Sequence, residues 1–135
     1  MTGALSTSDR GHRPTTVLLV DDDEPLRTAV RLMLEEQGFF VVGEAAEPSR
    51  ALDLARERRP DVALVDFRLY GSDGIALANS LKEEAPTLRV IMFTAFGENA
   101  LAADAARAGI TDILVKGCPP QLIAETIRMA AGRSR

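Results

Sequence analysis

The chain has 135 residues, 46% of them hydrophobic and 27% charged, with a formal net charge of -4. That length suits one domain around one core, in the composition range of soluble globular proteins rather than disordered or fibrous ones. The mild acidity, without any basic stripe, argues against direct nucleic-acid binding by this chain. The lone Cys118 excludes an internal disulfide, and no stretch approaches the roughly 18 apolar residues of a membrane span. The polar start MTGALSTSDRGHRP lacks the apolar run of a signal peptide, so the expected compartment is the cytoplasm.

Residues 1–15 are rich in Ser, Thr, Gly and charge with no apolar period, which predicts a flexible leader. Val17, Leu18, Leu19 and Val20 form a short continuous apolar run, the pattern of a strand covered on both faces. Pro25 then opens a helix whose stripe of Leu26, Val30, Met33 and Leu34 follows i, i+4, i+7, i+8 and stops at Gly38. The alternation continues with strands at 39–42, 62–65, 90–93 and 113–115. Helices fall at 48–58, 75–84, 99–108 and 120–131, the last ended by Gly132. Five β/α units of this kind predict a doubly wound α/β domain: a five-stranded parallel sheet with five helices on its two faces, in the flavodoxin-like order 2-1-3-4-5.

The polar residues gather at one end of these strands. Strand one runs into Asp21, Asp22 and Asp23, strand three into Asp66, strand four into Thr94 and strand five into Lys116. Open α/β sheets bind ligands beyond the carboxyl ends of their strands, where strand order reverses, so strands one and three would bring their aspartates face to face. Crowded carboxylates call for a hard divalent cation, and Mg²⁺ bound by only a few carboxylates implies a phosphoryl substrate. Lys116 and Thr94 can meet phosphate oxygens, and a carboxylate can serve as the nucleophile that becomes an aspartyl phosphate.

Bland readings compete for each residue. Aspartates before a helix also cap it; Asp66 or Lys116 alone could be an ordinary strand-end charge; Thr94 is a good strand residue on steric grounds. Cys118 and His12 lack partners for metal or nucleophilic chemistry. Gly71, Ser72, Asp73 and Gly74 read as a loop leading to a helix cap, without the spacing of a phosphate-binding loop.

The segments VLLVDDDEPLR, VALVDFRLYGSDG, VIMFTA and ILVK, in this order, resemble the four motifs of response-regulator receiver domains, over residues 16–132 with 133–135 as a tail. The resemblance implies that Asp66 is the phosphoacceptor, supplied by a sensor histidine kinase. It implies that Asp22 and Asp66 ligate Mg²⁺ directly, Asp21 largely through water, and Arg68 through its backbone carbonyl. Thr94 matches the switch hydroxyl, Ala95 the small residue beside it and Lys116 the phosphate-contacting lysine; Asp23 matches no role. Such domains signal rather than turn over substrate, apart from self-catalysed phosphotransfer and slow loss of the phosphoryl group. The surface expected to respond is helix four, strand five and helix five, with Leu101, Ala105, Ile113 and Met129 as candidates. It would face an output domain, a downstream protein or a second copy.

Three positions depart from the family pattern. Tyr70 stands where proline is usual in the loop after the phosphoacceptor, Ile113 where a switching Tyr or Phe is common, and Gly117 where proline commonly follows the lysine. The run Lys116, Gly117, Cys118, Pro119, Pro120 looks like receivers paired with LuxR-type helix-turn-helix outputs, so the chain reads as a stand-alone receiver or one cut from a longer regulator. Two other readings compete. A pseudo-receiver would dock partners without phosphorylation, and a haloacid-dehalogenase-type phosphohydrolase would use Asp21 and Asp23 as a D-x-D pair but leaves Asp66 unexplained.

Overall fold

The protein is described by a computed structural model covering residues 13–69, 72–95, 99–110 and 112–133. His12, Tyr70 and most of the expected leader lie outside the described residues, as does the side chain of Leu101. In chain order the main elements are β1 (Thr16–Val20), α1 (Glu24–Glu36), β2 (Phe40–Ala45), α2 (Pro48–Arg58), β3 (Val62–Asp66), α3 (Gly74–Glu84), β4 (Arg89–Thr94), α4 (Asn99–Arg107), β5 (Asp112–Val115) and α5 (Pro120–Arg133). The five strands pair in parallel in the order β2-β1-β3-β4-β5, the doubly wound arrangement expected from the sequence. Among the described residues no helix is long and apolar enough to cross a membrane.

The apolar runs are continuous because each central strand feeds two cores. Val17 and Leu19 of β1, with Val62 and Leu64 of β3, point to one face, under Val30 and Leu34 of α1 and Ile123 and Ile127 of α5. Leu18, Val20, Ala63 and Val65 point to the other, against Leu54 of α2 and Leu77 and Leu81 of α3. Leu18, Leu34, Ile91 and Ile127 are fully buried, each burial stabilising by roughly 1.5–3 kcal/mol.

Local chemistry sets the helix starts. Asp23 caps α1 by accepting from the Leu26 N–H at 3.1 Å, so the helix begins at Glu24, one residue before Pro25, whose missing N–H is harmless there. Asp73 caps α3 in the same way, accepting from the Ile75 N–H at 2.8 Å. Between β3 and α3 the chain also forms a two-residue antiparallel pairing, Arg68–Leu69 with Ser72–Asp73, too short for any periodicity to predict.

The second strand differs most from expectation. Phe39 belongs to the turn after α1 and is buried, its N–H bonded to the Leu34 carbonyl, whereas Phe40 begins the strand and is exposed. Opposite it, the register jumps between Val17 and Leu18, so that Val41 and Gly43 pair with consecutive residues of β1. This irregularity carries β2 on to Ala45, beyond the apolar run that marked it. Gly43 packs closely under α2 there, where a Cβ would lie 3.0 Å from both methyl groups of Leu54 and would require that side chain to shift.

The amino-terminal end of the sheet fixes the register that builds the opposite end. The Asp61 carboxylate accepts from the Thr16 N–H at 2.9 Å and from its hydroxyl at 3.1 Å, while the Asp61 N–H donates to that hydroxyl at 2.9 Å. With β1 and β3 pinned at this end, Val20 lies level with Val65, and the residues that follow them are Asp21 and Asp66.

Candidate functional site

That register delivers the acidic cluster. Carboxylate oxygens of Asp21, Asp22 and Asp66 lie within 4.8 Å of one another, with Asp21 and Asp66 buried and Asp22 exposed. Lys116, at the end of β5, reaches back over the sheet and places Nζ 3.3 Å from Asp21 Oδ2 and 3.2 Å from Asp66 Oδ2. Its backbone N–H donates to the Thr94 carbonyl at 2.7 Å, tying the carboxyl ends of β4 and β5 together. Thr94 is itself buried, and Ala95 beside it is exposed.

Three carboxylates against one ammonium leave the crevice negative, and the titration of Asp66 reflects it. Burial raises its carboxyl and the charge of Asp21 raises it further, to about 6, against the opposing pull of Lys116 and of the Arg68 N–H, which donates to Asp66 Oδ1 at 3.2 Å. Burial by itself would lower the Lys116 ammonium, but the two carboxylates outweigh it and raise it above the ordinary lysine range. A crevice of hard oxygen donors with excess negative charge fits a divalent cation such as Mg²⁺.

The third aspartate of the run does something else. Asp23 turns its carboxylate to the α1 amide of Leu26, while its own N–H donates to Asp21 Oδ1 at 2.8 Å. A strand end followed directly by a helix therefore divides the three residues: Asp21 faces the crevice, Asp22 stands at its rim and Asp23 caps. The D-x-D pairing of Asp21 with Asp23 is not formed.

Two glycines shape the approach to the cluster. A Cβ on Gly74 would sit 2.7 Å from the Phe67 carbonyl oxygen, 2.9 Å from its Cα, and closer still to the carbonyl of Asp66. Only glycine lets α3 start so near the end of β3, and its N–H donates to the Phe67 carbonyl at 2.8 Å. Gly117 has φ +94, a conformation closed to the proline that commonly stands there in the resembling family. Cys118 packs half-buried against the core, and burial pushes its thiol up, as a small structural residue would have it.

Of the residues proposed for a responding face, Ile113 is half-buried against the α2/α3 core and Ala105 is buried within it, so Ala105 presents nothing outward. Met129 is exposed, as are Val115 at the end of β5 and Leu122 in the first turn of α5. Gly74 was legible in the sequence only as a loop residue, because its role depends on how closely α3 approaches the end of β3.

The sequence model of the response regulator receiver domain matches residues 17–128. Response regulator UvrY of Escherichia coli (strain K12) is 36% identical over 113 residues, 83% of this chain and 52% of UvrY, so the chain spans about half of that relative. The solved signal receiver domain of the putative response regulator NarL from Mycobacterium tuberculosis superposes with a TM-score of 0.82 at 31% identity, over 90% of this chain and 98% of that one. A LuxR-family two-component response regulator from Aurantimonas sp. SI85-9A1 superposes with a TM-score of 0.82 at 29% identity, over 90% and 88%. Sheet order, strand-end acids and sequence thus converge, and the chain belongs to the response regulator receiver domains of two-component systems, a family phosphorylated on aspartate.

Proposed function

We propose that Asp66 is the phosphoacceptor, taking a phosphoryl group from the phosphohistidine of a sensor histidine kinase in a Mg²⁺-dependent reaction. The observation that carries this reading is the setting of one carboxylate: Asp66 is buried at a strand end, within 4.8 Å of the Asp21 and Asp22 oxygens and 3.2 Å from the Lys116 ammonium. With its carboxyl at about 6, Asp66 is mostly ionised at neutral pH and ready as a nucleophile. One of its oxygens bonds to phosphorus as the phosphorus–nitrogen bond breaks and the imidazole leaves with its electron pair.

Asp22 and Asp66 would hold Mg²⁺ directly, Asp21 through water and Arg68 through its carbonyl. When bound, the ion neutralises charge on the phosphoryl oxygens. Lys116 exchanges one carboxylate for a phosphoryl oxygen, the Thr94 hydroxyl donates to another, and the small Ala95 leaves room for that movement. These contacts exist only in the modified state, so phosphorylation shifts a two-state equilibrium. The signal leaves through α4, β5 and α5, where Val115, Leu122 and Met129 offer apolar surface to an output domain, a downstream protein or a second copy. The setting is cytoplasmic, the unit is residues 16–132, and the activity is self-catalysed phosphotransfer with slow loss of the phosphoryl group.

The test is incubation with acetyl phosphate and Mg²⁺, followed by intact mass and peptide mapping. One acid-stable, base-labile adduct on Asp66, abolished by EDTA and by Asp66→Asn, supports the reading. An adduct on Asp21 points to phosphohydrolase chemistry, and no adduct to a phosphorylation-independent docking module.

A further inference from the structure

Arg27 sits one turn into α1 with its side chain only 14% exposed, and it touches the acidic loop through the backbone rather than through a carboxylate of the cluster. Its Nη1 donates to the backbone carbonyl of Asp21 at 2.6 Å and its Nε to Glu44 Oε1 on β2 at 3.1 Å. Arg31, one turn further, pairs with the other oxygen of Glu44 at 2.8 Å. The Asp21 carbonyl belongs to the peptide that joins the two acidic residues, and the Asp21 N–H donates to the Ala45 carbonyl at 3.0 Å. Asp21 is thus held through its N–H, its carbonyl and its carboxylate, the last by the Asp23 N–H.

Asp22 has no such restraint. It is exposed, and its carboxylate makes no hydrogen bond or ion pair with the described residues, so its direction follows from the backbone alone. We propose that Arg27 is a positioning residue for the cation site: its guanidinium fixes the Asp21–Asp22 peptide, and Glu44 fixes the guanidinium. This rests on the reading of Asp21, Asp22 and Asp66 as a Mg²⁺ site. An arginine suits the task because its planar fork holds two acceptors at once, whereas a lysine offers a single mobile charge. Glu44 also offsets the positive charge, so that Arg27 orders the loop without repelling the cation.

The test titrates the full chain with Mg²⁺ alone, following backbone amide shifts, for the parent, Arg27→Met, Arg27→Lys, Glu44→Gln and Arg31→Met. Groups that orient metal ligands typically change affinity by 10–100-fold, and both Arg27 variants are expected to bind about tenfold more weakly. Glu44→Gln keeps an acceptor for Nε but no longer offsets the guanidinium charge, so its affinity is expected to fall between those of the parent and the Arg27 variants, whereas Arg31→Met leaves the Asp21 carbonyl alone and is expected to stay within about threefold, well short of that range. In EDTA the Asp23 amide should exchange faster in the Arg27 variants. At saturating Mg²⁺ their phosphorylation by acetyl phosphate should return to the parent rate, placing the defect in metal affinity.

Parent-like Mg²⁺ affinity in folded Arg27→Met overturns the proposal, as does equal weakening in Arg31→Met. Should Arg27→Met not fold, Arg27→Lys decides by the same criterion. A parent that binds Mg²⁺ but takes no phosphoryl group defeats the phosphoacceptor reading while these affinities still test Arg27. A parent that does not bind Mg²⁺ overturns both.

Discussion

Asp66→Asn should make the metal-free protein more stable at neutral pH. The carboxyl of Asp66 rises from 3.8 to about 6 on folding, chiefly through burial and the neighbouring Asp21 charge. At about 1.4 kcal/mol per unit, keeping Asp66 ionised in the folded state costs on the order of 3 kcal/mol at pH 7.5. Asparagine removes the charge at nearly the same volume and keeps an acceptor for the Arg68 N–H; the pull of Lys116 is already contained in the net rise, so a gain of about 3 kcal/mol is expected. The sign follows from a raised acid: the folded state binds the proton more tightly, so the penalty is absent below the unfolded value near 4. It grows as pH rises and is complete above about 6. Urea unfolding in EDTA should therefore show the variant ahead of the parent at pH 7.5, with the gap reduced to about a third at pH 4.5. Mg²⁺ at ten times its dissociation constant should then stabilise the parent by about 1.4 kcal/mol and the variant by much less. A variant no more stable than the parent at pH 7.5 in EDTA, or a gap independent of pH, would refute the electrostatic account of this crevice.

Removing the cation instead should have the opposite effect. Lys116→Met leaves Asp21 and Asp66 facing each other without an ammonium, so the Asp66 carboxyl should titrate above the parent's value of about 6 in a carboxyl-carbon NMR titration. Phosphoryl uptake should fall by at least tenfold, the scale of losing one electrostatic contact to the transferring group. Gly74→Ala should destabilise by about 1–3 kcal/mol, since its Cβ meets backbone rather than a movable side chain; thermal melts of the two proteins check this. Asp23→Ala should cost about 1 kcal/mol of helix capping and leave phosphorylation of Asp66 at the parent level, which separates the third aspartate from the first two.

What was legible in the sequence follows from how much local repetition carried it. Runs such as residues 17–20 and 62–65 are apolar on both faces because helices cover both sides of the sheet, and that pattern suffices for strand type, order of elements and fold class. α2 falls at 48–58 as expected, because Pro48 marks its start and an apolar stripe its length. The course of β2 was not legible: its irregular register opposite Val17 and Leu18 depends on a neighbour strand, and no period within FFVVGEA encodes it. The candidate site divides in the same way. Asp21, Asp66, Thr94 and Lys116 announce themselves by ending apolar runs, whereas Gly74 and Arg27 matter through their approach to backbone carbonyls of Asp66, Phe67 and Asp21, which only the folded chain brings within reach.

The site and the fold are in conflict over one quantity, the spacing of β1 and β3. The hydrogen-bond box of Thr16 and Asp61 and the buried ladder Val17, Leu18, Leu19, Val20 hold these strands in register, and the same register forces Asp21 against Asp66 at the far end. Relaxing the repulsion by sliding β1 one residue would turn Leu18 and Val20 from one core to the other, which the packing of both faces forbids. The strain is therefore relieved chemically: by Lys116 between the two carboxylates, by partial protonation of Asp66 near pH 6, and by any cation or phosphoryl group that enters the crevice. A switch needs such a tension, because ligands move an equilibrium only through interactions that differ between its states, and the Lys116 ammonium, shared between two carboxylates, is the contact that modification of Asp66 would redirect first.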